Sequence, residues 1–475
     1  MQSFFDIPAD LDTPVSAYLK LAPFGSRFLL ESVGGAGREA RYSFLGFGEA
    51  EEVRLDAERI GNTQAGPLIA DRQRVILDAF RAALAKAPRL DPGHSPTDEV
   101  PFRGGLVGAA GFGLARSLEG LERVGRPEAP PDYLGFAPRS VLVFDHETRR
   151  MGLLASSDQD REGLRREVLK ALAGPLPEQR RDGKRKIDEL TSSMTQAEYE
   201  AGVEAAQRSI RAGEVYQLVL SQRFSGACDL EPIAVYRALR LLDPSPYLFL
   251  LEFSDTAIIG ASPEALVRVE GGRAFTQPIA GTRPRGCSAQ QDLELERELL
   301  ADPKEAAEHV MLVDLARSDL GRIATPGSVV VEPYRQIKRY REVMHIVSGV
   351  RAELDRTHEP VDAFDVFGAS FPAGTVVGAP KVRAMELLHE LEPISRDLYA
   401  GAIGTFGHGA TDDPSSGTAN QAIAIRTAVL RGGTVSVQAG AGIVLDSKPE
   451  KEHEEVLAKA RGMRAALALA AEDLS

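Results

Sequence analysis

Gln277-Pro278-Ile279-Ala280-Gly281-Thr282-Arg283-Pro284-Arg285-Gly286 lies between an alternating, strand-like run and a helix rich in carboxylates. Gly281-Thr282 can bring bare backbone close to a ligand and add a hydroxyl, while Arg283 and Arg285 have the chemistry to hold an anion. Taken alone, the stretch reads equally as a Pro/Gly turn carrying two surface arginines. Its neighbours along the chain give it direction.

Downstream, Asp302-Pro303-Lys304-Glu305 predicts a helix start. Asp302 caps it, Pro303 takes the first helical position and Glu305 the third. Upstream, Val215 to Phe224 and Tyr247 to Phe253 predict strands, and Thr195-Gln196-Ala197-Glu198 is a capping box. Strands recur around Gly401 to Phe406, Ala422 to Leu430 and Thr434 to Gln438, and a last long helix starts near Ser447. The first part of the chain reads as strands (Phe28 to Ser32 and Ala40 to Gly46, separated by Gly34-Gly35) with a helix over Asp71 to Ala87 and a hairpin over Ser140 to Leu154. Gly174-Pro175-Leu176-Pro177 and the basic stretch Glu178 to Lys186 mark the best domain boundary. This divides the chain into an N-terminal region 1–174, a linker 175–192 and a second region 193–468. Strands and helices mix without regular βαβ alternation, which predicts an α+β fold with large, mostly antiparallel sheets.

Bulk properties exclude several classes. A chain of 475 residues with formal charge −13 and pI near 5.3 lacks the basic face that nucleic-acid binding needs. Cys228 and Cys287, the only cysteines, lie in no CxxC pair, so neither a disulfide framework nor a structural zinc site is expected. Gly104-Gly105-Leu106-Val107-Gly108-Ala109-Ala110-Gly111 has neither nucleotide-loop spacing. No run reaches membrane-spanning length and the first residues do not read as a signal peptide, so a soluble, cytoplasmic protein is expected.

Two helices carry carboxylates on one face. Glu305 and Glu308 are three apart, with His309 adjacent, and Glu452, Glu455 and Lys459 follow at i, i+3 and i+7. Singly, Glu305 is a capping residue and Glu455–Lys459 an ordinary ion pair worth about 0.3–0.5 kcal/mol. Jointly, two glutamates from different helices suit Mg²⁺, with waters and a substrate carboxylate completing six oxygens.

The ordered series, continuing through Phe371-Pro372-Ala373-Gly374-Thr375, Ala424-Ile425-Arg426-Thr427 and Gln438-Ala439-Gly440-Ala441-Gly442, resembles the chorismate-utilising enzymes. The resemblance is closest to the large subunits of anthranilate synthases and runs from about Phe28 to about Met463. It implies a sandwich of antiparallel sheets with helices outside, and a carbon–oxygen lyase that converts chorismate and ammonia to anthranilate and pyruvate in the first step of tryptophan biosynthesis. It implies Glu308 and Glu455 as Mg²⁺ ligands with Glu305 and Glu452 nearby. Gly281, Thr282, Thr375, Tyr399, Arg426, Gly440, Ala441 and Gly442 match substrate contacts. Arg426 can grip a carboxylate, and N–H groups of a glycine turn can hold an anion. Glu264 matches the general acid that protonates the departing C4 hydroxyl, which requires it to be protonated. His345 is the candidate for pyruvate elimination, and Lys459 matches a further active-site group.

Two positions separate the branches. Water-adding isochorismate and salicylate synthases resemble one another in carrying a lysine base where this chain has Gln217, which leaves ammonia as the reactant. Aminodeoxychorismate synthases usually carry lysine where Ala280 stands. An aminodeoxychorismate or aminodeoxyisochorismate synthase remains the alternative within enzymes, and a non-catalytic chorismate-binding paralogue the alternative outside them. His453, Val377 and Asn420 depart from the family pattern. No glutaminase nucleophile elbow is visible, so the resemblance implies a hetero-oligomer with a glutamine amidotransferase subunit that supplies ammonia. Leu30-Glu31-Ser32 and Pro246-Tyr247-Leu248 match the family's L-tryptophan site, with the Glu31 carboxylate and Ser32 hydroxyl expected to take the effector's ammonium.

Overall fold

The computed structural model describes residues 4–32, 41–64, 68–93, 100–121, 131–177, 186–340, 343–357, 360–409, 411, 413 and 416–472. The Gly34-Gly35 break and residues 178–185 of the expected linker lie outside these. Among the described residues, twenty strands join one hydrogen-bonded sheet system, and three more (Gln336–Arg339, Val343–Val347 and Ile279–Pro284) form a small second sheet with the Val343 strand in the middle. Every strand pairing among the described residues is antiparallel, as the α+β reading expects.

Strand Ser26–Glu31 pairs with Tyr247–Glu252, and Gly105–Ala110 pairs with Gly401–Gly407, so the two regions share ladders. The N-terminal helix Ile69–Lys86 buries Phe80 against Phe364, Phe367 and Phe406 of the second region. One buried phenylalanine contributes about 1.5–3 kcal/mol, and Arg81 adds ion pairs to Asp362 and Asp365. Even the end of the expected linker is docked: Thr191–Ser192 pairs with Phe224–Ser225. Backbone groups that would lie against the core must find partners, and strand pairing supplies them.

Local signals placed the helices well. Thr195 and Glu198 close the predicted capping box on helix Gln196–Arg211. Asp302 accepts from the amides of Lys304 and Glu305 at the start of helix Pro303–Gly321. The strand expected over Ala422 to Leu430 is two strands, Thr418–Ala424 and Thr427–Arg431, broken at Ile425-Arg426, where Arg426 has φ 48°. Cys228 is buried and Cys287 exposed, both free. No described helix is long and apolar enough to cross a membrane.

Candidate active site

The opening stretch forms strand Ile279–Pro284, with a register shift between Ala280 and Thr282 and Gly281 at φ 67°. A β-carbon at Gly281 would meet Leu299 at 2.9 Å and Glu305 Oε2 at 3.1 Å, so glycine serves both the bulge and the close packing of the Pro303 helix. The two arginines are paired with carboxylates of the chain. Arg283 pairs with Glu298 and Asp302, and Arg285 with Asp292, because the two following helices bring those carboxylates over the strand.

Across the ladder, Thr282 faces His345. His345 Nδ1 lies 2.9 Å from the Gly281 carbonyl oxygen and 3.1 Å from the Thr282 hydroxyl. A carbonyl only accepts, so Nδ1 carries the ring proton and Nε2 is the basic atom of the neutral ring. Burial lowers the His345 pKa, with the Gly281 bond opposing and the Arg426 charge assisting, which favours that neutral form.

Glu264 sits in the connection between strands Thr256–Ser262 and Ala265–Glu270 and accepts from the Thr375 hydroxyl at 3.4 Å. Burial raises its pKa, while the charges of Lys459 and Arg426 and the Thr375 bond pull it down. Burial dominates, which is the direction a general acid needs.

Helix Pro449–Ala471 lies on strand Thr434–Ile443 through Lys459, whose Nζ donates to the Gly440 carbonyl at 3.0 Å and pairs with Glu455 at 2.8 Å. The expected glycine turn at Gly440-Ala441-Gly442 is strand instead. These residues face Ser221, Leu220 and Val219, and a two-residue repeat of small side chains suits that ladder. Pairing on the other edge ends at Val437, which leaves the Gly440 segment no strand neighbour there among the described residues. A β-carbon at Gly440 would stand 2.7 Å from the Tyr399 hydroxyl, so glycine admits Tyr399 to the site. Gln217, buried at the start of its strand, packs on Gly442.

Glu308 and Glu452 both have raised pKa values, caused first by burial. Glu305 and Glu455 then push Glu308 up, and Glu455 pushes Glu452 up. Carboxylates gathered from two helices and repelling one another are a site that a cation would relieve. No group of three or more His, Cys, Asp or Glu among the described residues is close enough to hold a metal. Two glutamates completed by water and substrate oxygens are a donor set of the kind Mg²⁺ accepts.

Arg426, expected to grip a substrate carboxylate, places one terminal nitrogen 3.1 and 3.2 Å from the two oxygens of Asp243. Sequence reading missed Asp243, as well as the ion pair beneath the site. Arg396, 3% exposed, donates to both oxygens of Glu392 and to the carbonyl of Val376, and lies over the Tyr399 ring. Glu392 in turn accepts from the Ser221 amide and hydroxyl. The pair thus ties Tyr399, the Thr375 turn and the strand facing Gly440 together. Its only local signal was the i, i+4 spacing of Glu392 and Arg396. His309 is likewise a tether, with Nε2 2.6 Å from the Ser348 hydroxyl three residues beyond His345.

A second cavity of about 230 Å³ brings Leu30, Glu31 and Ser32 against Pro246, Tyr247 and Leu248. Glu31 is also held from the side of the protein interior. Its side chain is fully buried and accepts from the Tyr236 hydroxyl at 2.5 Å and from Arg240 at 2.9 Å, because strand Ser26–Glu31 turns it toward helix Pro232–Leu242. Asn420, one of the departures, lines this cavity. Val377 is buried in the core, and His453 packs against Tyr199.

Residues 26–465 match the chorismate binding enzyme family. Anthranilate synthase component 1 of Acinetobacter calcoaceticus is 40% identical over 98% of this chain and 95% of its own length. That of Thermus thermophilus is 41% identical over 97% and 96%. Anthranilate synthase component I of Streptococcus pneumoniae superposes with TM-score 0.74 at 34% identity, covering 96% of this chain and 98% of its own. The menaquinone-specific isochorismate synthase MenF of Escherichia coli, at 21% identity and TM-score 0.68, shares the fold.

Proposed function

The chain belongs to the chorismate binding enzyme family, and from that premise we propose that it is the synthase component of an anthranilate synthase. It converts chorismate and ammonia to anthranilate, pyruvate and water. The observation that carries this reading is the convergence of a burial-raised carboxyl, Glu264, and a neutral imidazole, His345, beside paired helices of carboxylates.

Glu264 holds a proton and delivers it to the C4 hydroxyl as that group leaves. His345 Nε2 takes the C2 proton while the enolpyruvyl oxygen departs, and the Gly281 carbonyl fixes the ring in the required tautomer. Gly281, Thr282, Tyr399 and the open edge at Gly440 orient the ring. Gln217 supplies no base for water, which leaves ammonia as the nucleophile. Glu308 and Glu455 would hold Mg²⁺, with Glu305 and Glu452 beside them. Bound there, the ion would neutralise the ring carboxylate and draw electrons toward C1. Lys459 keeps Glu455 in place from one turn away and ties the helix to Gly440.

A glutamine amidotransferase subunit is the source of ammonia in this reading, and L-tryptophan the ligand of the 230 Å³ cavity. Purified chain with chorismate, Mg²⁺ and an ammonium salt is expected to release anthranilate and pyruvate. Glutamine is expected to replace ammonium only after a glutaminase subunit is added. Isochorismate or aminodeoxychorismate as product, or glutamine use by the pure chain, overturns the assignment.

A further inference from the structure

Strand Gln217–Ala227 begins at the wall of the candidate site, where Gln217 is buried and pairs with Ala379. Successive residues of an extended chain point to opposite sides, so the preceding residue, Tyr216, turns outward. Its side chain is 75% exposed, while its amide is fixed on the Ala379 carbonyl at 2.7 Å. Two further exposed apolar side chains stand on the segments that flank it. Val382 lies in the first turn of helix Lys381–Leu391, three residues beyond Ala379. Leu445 lies two residues beyond Ile443, the ladder partner of Leu218, in the turn that leads to the helix carrying Glu452 and Glu455. Glu214, Arg383 and Glu386 add joined charges beside them, with Arg383 Nε 2.8 Å from Glu214 and Nη1 2.7 Å from Glu386. Single exposed apolar residues are ordinary, but an apolar group around a tyrosine with a charged rim is the make-up of a protein–protein interface.

The position of this face indicates the partner that suits it. Gln217 takes the place of the base that activates water in the water-adding branch, so the nucleophile reaches the ring from the Gln217 side. Ammonia freed into neutral water is protonated and loses the lone pair that attacks carbon, so a protein that makes it must close over this side of the site. We infer that Tyr216, Val382 and Leu445 form the docking face for the ammonia-producing glutamine amidotransferase subunit, with Glu214, Arg383 and Glu386 as its rim. The inference rests on the proposed anthranilate synthase activity and adds to it where the partner sits. Turnover with ammonium salt needs no docking, whereas turnover with glutamine does, so the two activities become separable by mutation.

The test uses the full chain, the glutamine amidotransferase subunit of the same organism, and either ammonium chloride or glutamine as nitrogen source. Tyr216→Glu and Val382→Glu each place a charge in the face and are expected to raise the Kd of the complex about tenfold or more, read by titration calorimetry. Glutamine-dependent anthranilate formation falls with it, while the ammonium-dependent rate stays within about twofold. Leu11→Glu, at an exposed apolar side chain just before helix Pro14–Lys20, is expected to change neither. Unchanged affinity in folded Tyr216→Glu and Val382→Glu proteins overturns the proposal, and so does equal weakening by Leu11→Glu. A parallel loss of the ammonium-dependent rate also overturns it, since the face then supports the site and not a partner. Light scattering of the chain alone reads the other occupant: a dimer that Tyr216→Glu dissociates makes the face a contact between copies and overturns the docking of a partner. Should either variant fail to fold, Leu445→Glu decides in its place. A wild type that makes no anthranilate from ammonium removes the proposed function itself. One that makes it but binds no glutaminase subunit overturns this inference and leaves the activity.

Discussion

Arg426 and Asp243 form an ion pair at the edge of the candidate active site, with one guanidinium nitrogen 3.1 Å and 3.2 Å from the two carboxylate oxygens. Arg426 sits at φ 48°, a left-handed conformation that costs a non-glycine residue roughly 1–2 kcal/mol. The Ala261 amide, bonded to the Arg426 carbonyl at 3.1 Å, helps hold it there. Asp243 ends the Pro232–Leu242 helix, three residues before Pro246 at the wall of the 230 Å³ cavity.

A substrate carboxylate must compete with Asp243 for Arg426. The pair is half-exposed, so it is worth at most about 1 kcal/mol, equivalent to a factor of about five. Asp243→Asn is therefore expected to lower KM for chorismate by up to about fivefold with kcat little changed, whereas Arg426→Lys raises it. Steady-state kinetics on both variants checks this. A raised KM in Asp243→Asn would show that Asp243 orients Arg426 rather than competing for it.

Mg²⁺ dependence should follow Glu308 and Glu455. Glu308→Ala and Glu455→Ala are each expected to lose more than the roughly 10–100-fold typical of outer metal partners. Glu305→Ala should keep most activity, since Arg283 already lies 3.7 Å from the Glu305 carboxylate. Circular dichroism establishes folding, and magnesium titrations with and without chelator report the ion requirement. Normal Mg²⁺ titration by either of the first two variants would remove that residue from the ligand set.

Tryptophan is expected to inhibit the wild type at low chorismate through a coupling of about 1–3 kcal/mol, roughly 5- to 150-fold. Ser32→Phe should fill the cavity and abolish the effect without altering kcat. Glu31→Gln should act on stability instead, because it weakens a buried pair with Arg240; complete breakage of such pairs costs roughly 3–5 kcal/mol. Inhibition curves and thermal melts of the same three proteins separate the roles. A wild type indifferent to millimolar tryptophan rejects the site, and equal inhibition of wild type and Ser32→Phe rejects the part given to Ser32.

Short-range features were legible in the chain before any folding was known. Thr195 with Glu198, and Asp302 with Pro303, mark helix starts because a cap is made by residues no more than three positions apart. The order of the motifs from Gln277 through Gly442 pointed to the family, and the comparisons bear that out. Which groups meet was decided only by tertiary structure. Arg283 and Arg285 had the chemistry to bind an anion, yet packing of the next two helices delivered Glu298, Asp302 and Asp292 to them. Glu31 had the chemistry to bind an ammonium, yet its strand faces Tyr236 and Arg240, more than two hundred residues away. The N-terminal region reads in sequence as a unit of its own, but its strands complete the same sheet system as the second region. Caps and alternating patterns are written in neighbouring residues, whereas hydrogen bonds and Coulomb forces depend on distances through space that no local pattern encodes.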